Sequence, residues 1–136
     1  MNWYLDAFKN KYGDFEGRAR RTEYWMFMLF HLLIIFILAF LSALLMGFDL
    51  AFIGGILLIL YVLVSFIPTL AITVRRLHDT GKSGWFYLLS FIPYIGGIIL
   101  LVFTVQDSEY MTNKWGSNPK APNTDEINEI GKPLLD

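Results

Sequence analysis

The stretch RRLHDTGKSGW, residues 75–85, gathers the side chains best suited to chemistry. His78 beside Asp79 pairs an imidazole with a carboxylate, the combination used for general acid–base transfer or metal ligation. A single dipeptide is too small a set for a metal, and the second histidine, His31, sits about two turns into an apolar run. Gly81–Lys82–Ser83 ends like a phosphate-binding loop. That motif needs glycine at position 76, where Arg76 stands, and a strand before it, where an apolar run stands. The chain has no cysteine, which removes disulfides, thiolate nucleophiles and Cys-based metal sites. No catalytic residue, metal or cofactor is assigned. A lipid-phosphate enzyme with His78 and Asp79 as acid and base is the remaining catalytic reading, and no nucleophile accompanies the pair.

The cations form a larger set. Arg18, Arg20 and Arg21 precede the first apolar run, and Arg75, Arg76 and Lys82 separate the second from the third. Glu16, Glu23 and Asp79 lie among them. Such groups can pair and tie the N-terminal segment to the loop. They can also leave a positive face, with His78 and Asp79 within it, that takes an anionic phospholipid headgroup or a membrane partner.

The elements that must position these groups are apolar. Of the 136 residues 55% are hydrophobic and 17% charged, against about 25% charged in ordinary soluble domains. Trp25–Met46, Leu50–Val74 and Trp85–Val105 carry no formal charge, and each reaches the roughly 20 residues that a bilayer core requires. None shows the polar face of a soluble core helix. The first starts too late and runs too long for a cleavable signal peptide. The expected fold is an all-α integral membrane protein with three transmembrane helices, about 25–46, 50–74 and 85–105. Residues 1–24 form an N-terminal interfacial segment. Residues 106–136 form a polar, largely disordered tail, with the last fifteen or so mobile.

Tyr4, Leu5, Phe8, Tyr12 and Phe15 fall at spacings that line one side of a short amphipathic helix, expected to stop near Tyr12 and to lie in the headgroup zone. Cations precede the first run and fill the second joint, while the first joint, GFDL, has none. The positive-inside rule therefore puts the N-terminus and the 75–85 loop in the cytoplasm. Three spans would then put the C-terminus outside.

Local chemistry explains much of the loop. Arg75 and Arg76 complement a helix C-terminus, Gly81 suits positive φ, and Ser83 can cap the next helix. Trp25 and Trp85 mark the interface. SFIP occurs at Ser65–Pro68 and again at Ser90–Pro93, so Pro68 and Pro93 sit about 10–12 Å from the same boundary. Each is expected to kink its span and free a carbonyl, at Val64 and at Leu89. Those carbonyls motivate an alternative function, an oligomeric small transporter or channel with a polar notch between spans two and three.

FEGRARRTEYW, RRLHDTGKSGW, IPYIGGIILL and NKWGSNP resemble, in order, the motifs of a bacterial inner-membrane family, domain of unknown function 805. The likeness covers about residues 13–120. It implies a helical protein of three or four spans in the bacterial cytoplasmic membrane, multi-pass, with no established activity. The motif positions carried over are Gly17, Arg18, Arg21 and Trp25; Arg75 to Asp79; Gly81 and Ser83 to Trp85; and Pro93, Gly96, Asn118 and Pro119. Family members usually have a glycine-rich stretch after the third span, where this chain has QDSEYMTNKWG. The expected partners are the phospholipid bilayer, anionic lipids, and a second copy or another membrane protein; no nucleic acid is expected.

Overall fold

The structure is a computed structural model that describes residues 2–48 and 50–121. The expected mobile segment 122–136 and Asp49 of the first joint lie outside the described residues. Among the described residues the elements are helical: α1 (Asn2–Lys9), α2 (Arg21–Met46), α3 (Ala51–Asp79), a 3-10 helix (Gly84–Phe91) and α4 (Ile95–Val105). By length and composition α2 and α3 can cross a membrane, and α4 is a shorter apolar helix. The chain divides into two compact units, Met1–Asp14 with Thr22–Ala71, and Phe15–Arg21 with Ile72–Asp136.

In the first unit α2 and α3 expose broad apolar faces, with Leu32, Phe36, Leu63 and Phe66 each more than half exposed. Water would not tolerate that surface, and lipid does. The two helices approach closely where Gly54 meets Ser42: a Cβ built on Gly54 would lie 2.5 Å from the Ser42 Cα. Small residues at a membrane crossing let backbones touch and gain dispersion contact. Gly54→Val is expected to force the pair apart and cost about 1–3 kcal/mol, read as a lowered melting temperature in detergent.

α1 uses its aromatic side on protein. Tyr4 and Phe8 place their ring centroids 5.3 and 6.2 Å from Phe27, Tyr4 also meets Phe30 at 6.1 Å, and Lys11 pairs with Glu23 at 3.6 Å. α1 thus runs antiparallel to the start of α2. The helix stops at Lys9, where Asn10 turns its amide onto the Asp6 carboxylate at 2.6 Å and both Asn10 and Lys11 donate their backbone N–H to the Asp6 carbonyl. The Tyr4 and Tyr61 hydroxyls share a 2.8 Å hydrogen bond, and Tyr61 is 2.8 Å from His31 Nδ1. His31 of α2, Tyr61 of α3 and Tyr4 of α1 therefore satisfy one another, which suits polar side chains on otherwise apolar helices.

Pro68 sits inside α3. The Val64 carbonyl, which loses its helical donor there, accepts from the Tyr12 hydroxyl at 2.8 Å. The bond closes what was expected to be an open polar point.

The second unit departs from the expected third span. Residues 85–105 do not form one helix. A 3-10 helix ends at Phe91, the chain turns through Ile92–Tyr94, and α4 begins at Ile95. Pro93 cannot donate to Leu89 and would crowd its carbonyl in a continuing helix. That carbonyl accepts instead from the Ile92 N–H at 2.9 Å, so Pro93 frees nothing. Tyr94 takes φ 65° and ψ −49°, the centre of a γ-turn in which the Ile95 N–H donates to the Pro93 carbonyl at 2.8 Å, and this breaks the helical run. The 3-10 helix and α4 then pack side by side, with Phe86 and Phe103 edge to face at 5.7 Å. Ser83 caps the 3-10 helix, its hydroxyl 3.5 Å from the Trp85 N–H.

Candidate functional site

The last turn of α3 builds the site. Arg76 and Asp79 stand three residues apart on one helix face, where side chains meet, and their guanidinium and carboxylate are bonded. Both are fully buried. The helix ends because Gly81, at φ 74°, turns the chain back. The Gly81 and Lys82 N–H groups then cover the carbonyls of His78 and Leu77 at 3.1 and 2.9 Å. A segment from ahead of α2 crosses this helix end. The Ala19 N–H donates to the Arg75 carbonyl at 3.0 Å, and Arg18 Nε donates to Asp79 Oδ1 at 3.0 Å.

Asp79 is the centre of a knot. Besides Arg18 and Arg76, its carboxylate accepts from the Ser108 hydroxyl at 2.6 Å. Its backbone carbonyl accepts from Arg18 Nη2 at 3.2 Å and from the Glu109 N–H at 2.8 Å. The arginines spend their other donors on carbonyls. Arg18 reaches Glu109 at 2.6 Å, Met111 at 2.9 Å and Gly116 at 3.2 Å. Arg76 reaches Thr104 at 3.0 Å, Ala19 at 3.3 Å and Gln106. Thr104 and Gln106 lie at the C-terminus of α4, where carbonyls without an intrahelical donor attract cations. Buried guanidinium is tolerated because planar donors in a fixed fork match this many oxygens.

His78 is nearly buried. Its Nδ1 lies 3.3 Å from the Gly17 carbonyl, and its ring stacks on Trp115 at 4.3 Å and 10°. Asn113 Nδ2 donates to the His78 carbonyl at 2.9 Å and to Glu109 at 2.7 Å. The box NKWG forms a tight turn in which Asn113 and Gly116 exchange backbone bonds at 3.1 and 3.0 Å, and the Asn113 side chain accepts from the Trp115 N–H. Lys82 donates to Gln106 Oε1 at 2.7 Å and lies 4.7 Å over Phe103. On the surface, Asp107 is held below the usual carboxylate range by the Lys120 ammonium and the Ser108 N–H, with the charge of Arg21 adding to this.

Of the expected positive face, Arg18, Arg76, His78 and Asp79 come together and are buried, with Lys82 at their edge. Arg75 is 2% exposed, and Gly17 contributes its carbonyl. Arg20 and Arg21 stay exposed. Trp25 and Pro68 belong to the first unit. Ser108, Glu109, Asn113 and Trp115 were not among the expected site residues; Asn113 and Gly116, turn-forming types at the two ends of NKWG, were the local signal for order there. Within the tail, Gln106, Ser108, Glu109, Met111, Asn113 and Gly116 are each bonded to the knot or to His78 beside it. No group of three or more metal-ligating side chains occurs among the described residues.

Three comparisons bear on this site. A family model described as "Protein of unknown function (DUF805)" matches residues 12–117, a span that holds the whole knot. The inner membrane protein YhaI of Escherichia coli K12 is 43% identical over 120 residues, covering 88% of this chain and 97% of its own. The inner membrane protein YhaH of the same strain is 45% identical over 120 residues, covering 88% and 98%. No solved structure matches.

Proposed function

This chain belongs to the DUF805 family, and we propose that it works in the bacterial inner membrane as a non-enzymatic protein that binds anionic lipid headgroups through Arg20 and Arg21. The carrying observation is the division of the arginines. Arg18 and Arg76 are buried and bonded within the knot, whereas Arg20 and Arg21 are exposed at the start of the apolar helix α2. Arg18 and Ala19 are each fixed by hydrogen bonds, so the two exposed guanidiniums follow an anchored support in the chain. Phosphate matches guanidinium in charge and geometry.

Catalysis by the His78–Asp79 pair is disfavoured by the same bonds. Both oxygens of Asp79 are occupied by Arg18, Arg76 and Ser108, and a carboxylate so held does not serve an imidazole or a reacting proton. The polar notch loses its motive too, since the Val64 and Leu89 carbonyls are both bonded.

The test is Arg20→Gln combined with Arg21→Gln. Each basic residue near an anionic surface contributes about 1 kcal/mol, so the pair should lower retention of phosphatidylglycerol and cardiolipin roughly thirty-fold, measured by native mass spectrometry from nanodiscs. Unchanged retention by a folded double variant refutes the proposal.

A further inference from the structure

We propose that the third apolar run does not cross the bilayer: residues 83–105 form a re-entrant wedge that enters one leaflet and leaves by the same face, so that its partner is the acyl layer of that leaflet alone. This goes beyond headgroup binding and does not depend on it.

The ends of the run meet. Lys82, just before it, bonds Gln106, just after it, at 2.7 Å, and Arg76 at the end of α3 holds the Thr104 carbonyl at 3.0 Å. The Glu109 N–H reaches the Asp79 carbonyl at 2.8 Å. A segment that crossed a hydrocarbon core of about 30 Å could not bring its two ends within bonding distance. Neither arm is long enough to cross. The 3-10 helix of eight residues and α4 of eleven each rise about 16 Å, near half the core. The arms are antiparallel and closed against each other at Phe86–Phe103, and Gly96 sits on the Leu89 carbonyl.

What the hairpin leaves uncovered is apolar. Phe91, Tyr94, Ile95 and Ile98 around the turn are 76, 93, 61 and 62% exposed. An open apolar groove lined by Trp85, Phe86, Leu88 and Leu89 continues that surface along the 3-10 arm. Hydrocarbon is the medium in which such a tip is stable, and the cationic knot at its base marks the depth at which headgroups begin.

An independent contact fixes the sidedness. Arg18, ahead of α2, bonds the carbonyls of Glu109 and Met111, beyond α4, at 2.6 and 2.9 Å. Residues 15–21 and 106–121 therefore share one face of the membrane. The number of crossings is even, and the expectation of an external C-terminus, which followed from three spans, gives way to a tail on the same side as the N-terminal arginines.

The chain has no native cysteine, so single-cysteine variants report cleanly. Glu16→Cys, Phe48→Cys, Tyr94→Cys and Ser117→Cys of the full chain are labelled with a membrane-impermeant maleimide in right-side-out and inverted vesicles. Position 117 should follow position 16 in whichever vesicles label it, with position 48 showing the opposite preference by tenfold or more. Position 94 should resist labelling from both sides, and a bimane placed there should be quenched by doxyl groups on lipid chains. Labelling of 117 opposite to 16, or of 94 from the side of 48, establishes a crossing and overturns the proposal. Labelling of 94 from the side of 16 shows a hairpin outside the bilayer and overturns it equally. Loss of headgroup binding in the Arg20, Arg21 variant leaves all of these outcomes unchanged.

Discussion

Asp79→Ala is expected to cost about 3–5 kcal/mol of stability, the range for removing one partner from a buried charge cluster. Two guanidiniums and a serine hydroxyl converge on that carboxylate, and both Asp79 and Arg76 are fully buried. Without it, Arg18 and Arg76 would share a buried site with backbone carbonyls as their remaining acceptors, and each charge would keep its desolvation cost while losing its counter-charge. The melting temperature in detergent, followed by tryptophan fluorescence, should fall by roughly 10–20 °C. Ser108→Ala removes one neutral donor from the same oxygen and should cost only about 1 kcal/mol. The contrast between the two separates charge compensation from hydrogen bonding. An Asp79→Ala protein melting within a few degrees of the parent would show that the knot does not hold the unit together.

Gly96→Ala should disrupt the hairpin to a comparable degree. A Cβ at Gly96 would overlap the Leu89 carbonyl oxygen and lie 2.7 Å from its carbon. Those are backbone atoms, so no side-chain rotation relieves the overlap and the arms must separate. Overpacking of a tight site costs about 1–3 kcal/mol where neighbours can shift, and here about 3 kcal/mol or more is expected because they cannot. Gly97 is the matched control: it neighbours Gly96 in α4, is exposed, and has open space where its Cβ would be. Gly97→Ala should leave thermal unfolding and the protection of position 94 from aqueous maleimide unchanged, whereas Gly96→Ala should lose both. Equal behaviour of the two variants would show that the close approach at Leu89 does not hold the two arms together.

The sequence by itself determined the helical character, the membrane setting and the punctuation. Uncharged runs longer than a bilayer core are decided by hydropathy and helical rise alone, which is why α2 and α3 fall where Trp25–Met46 and Leu50–Val74 place them. The turn at Gly81 and the cap at Ser83 were legible for a similar reason, because backbone conformation and local hydrogen bonding depend on neighbours in the chain. The family motifs were legible as residue strings.

The tertiary structure decided what distant segments do to one another. Composition cannot distinguish Arg18 and Arg76 from Arg20 and Arg21, since a guanidinium becomes a buried structural group or an exposed binding group according to which carbonyls arrive around it. Those carbonyls come from Thr104, Gln106, Glu109 and Met111, in or next to a tail whose composition reads as unordered. The path of the third run was hidden for the same reason. Its length fits a span, and only the bonds that tie Lys82 to Gln106 and Arg18 to Glu109 draw its ends together, because charge buried at a helix end is stable only when oxygen ligands from elsewhere in the chain close around it.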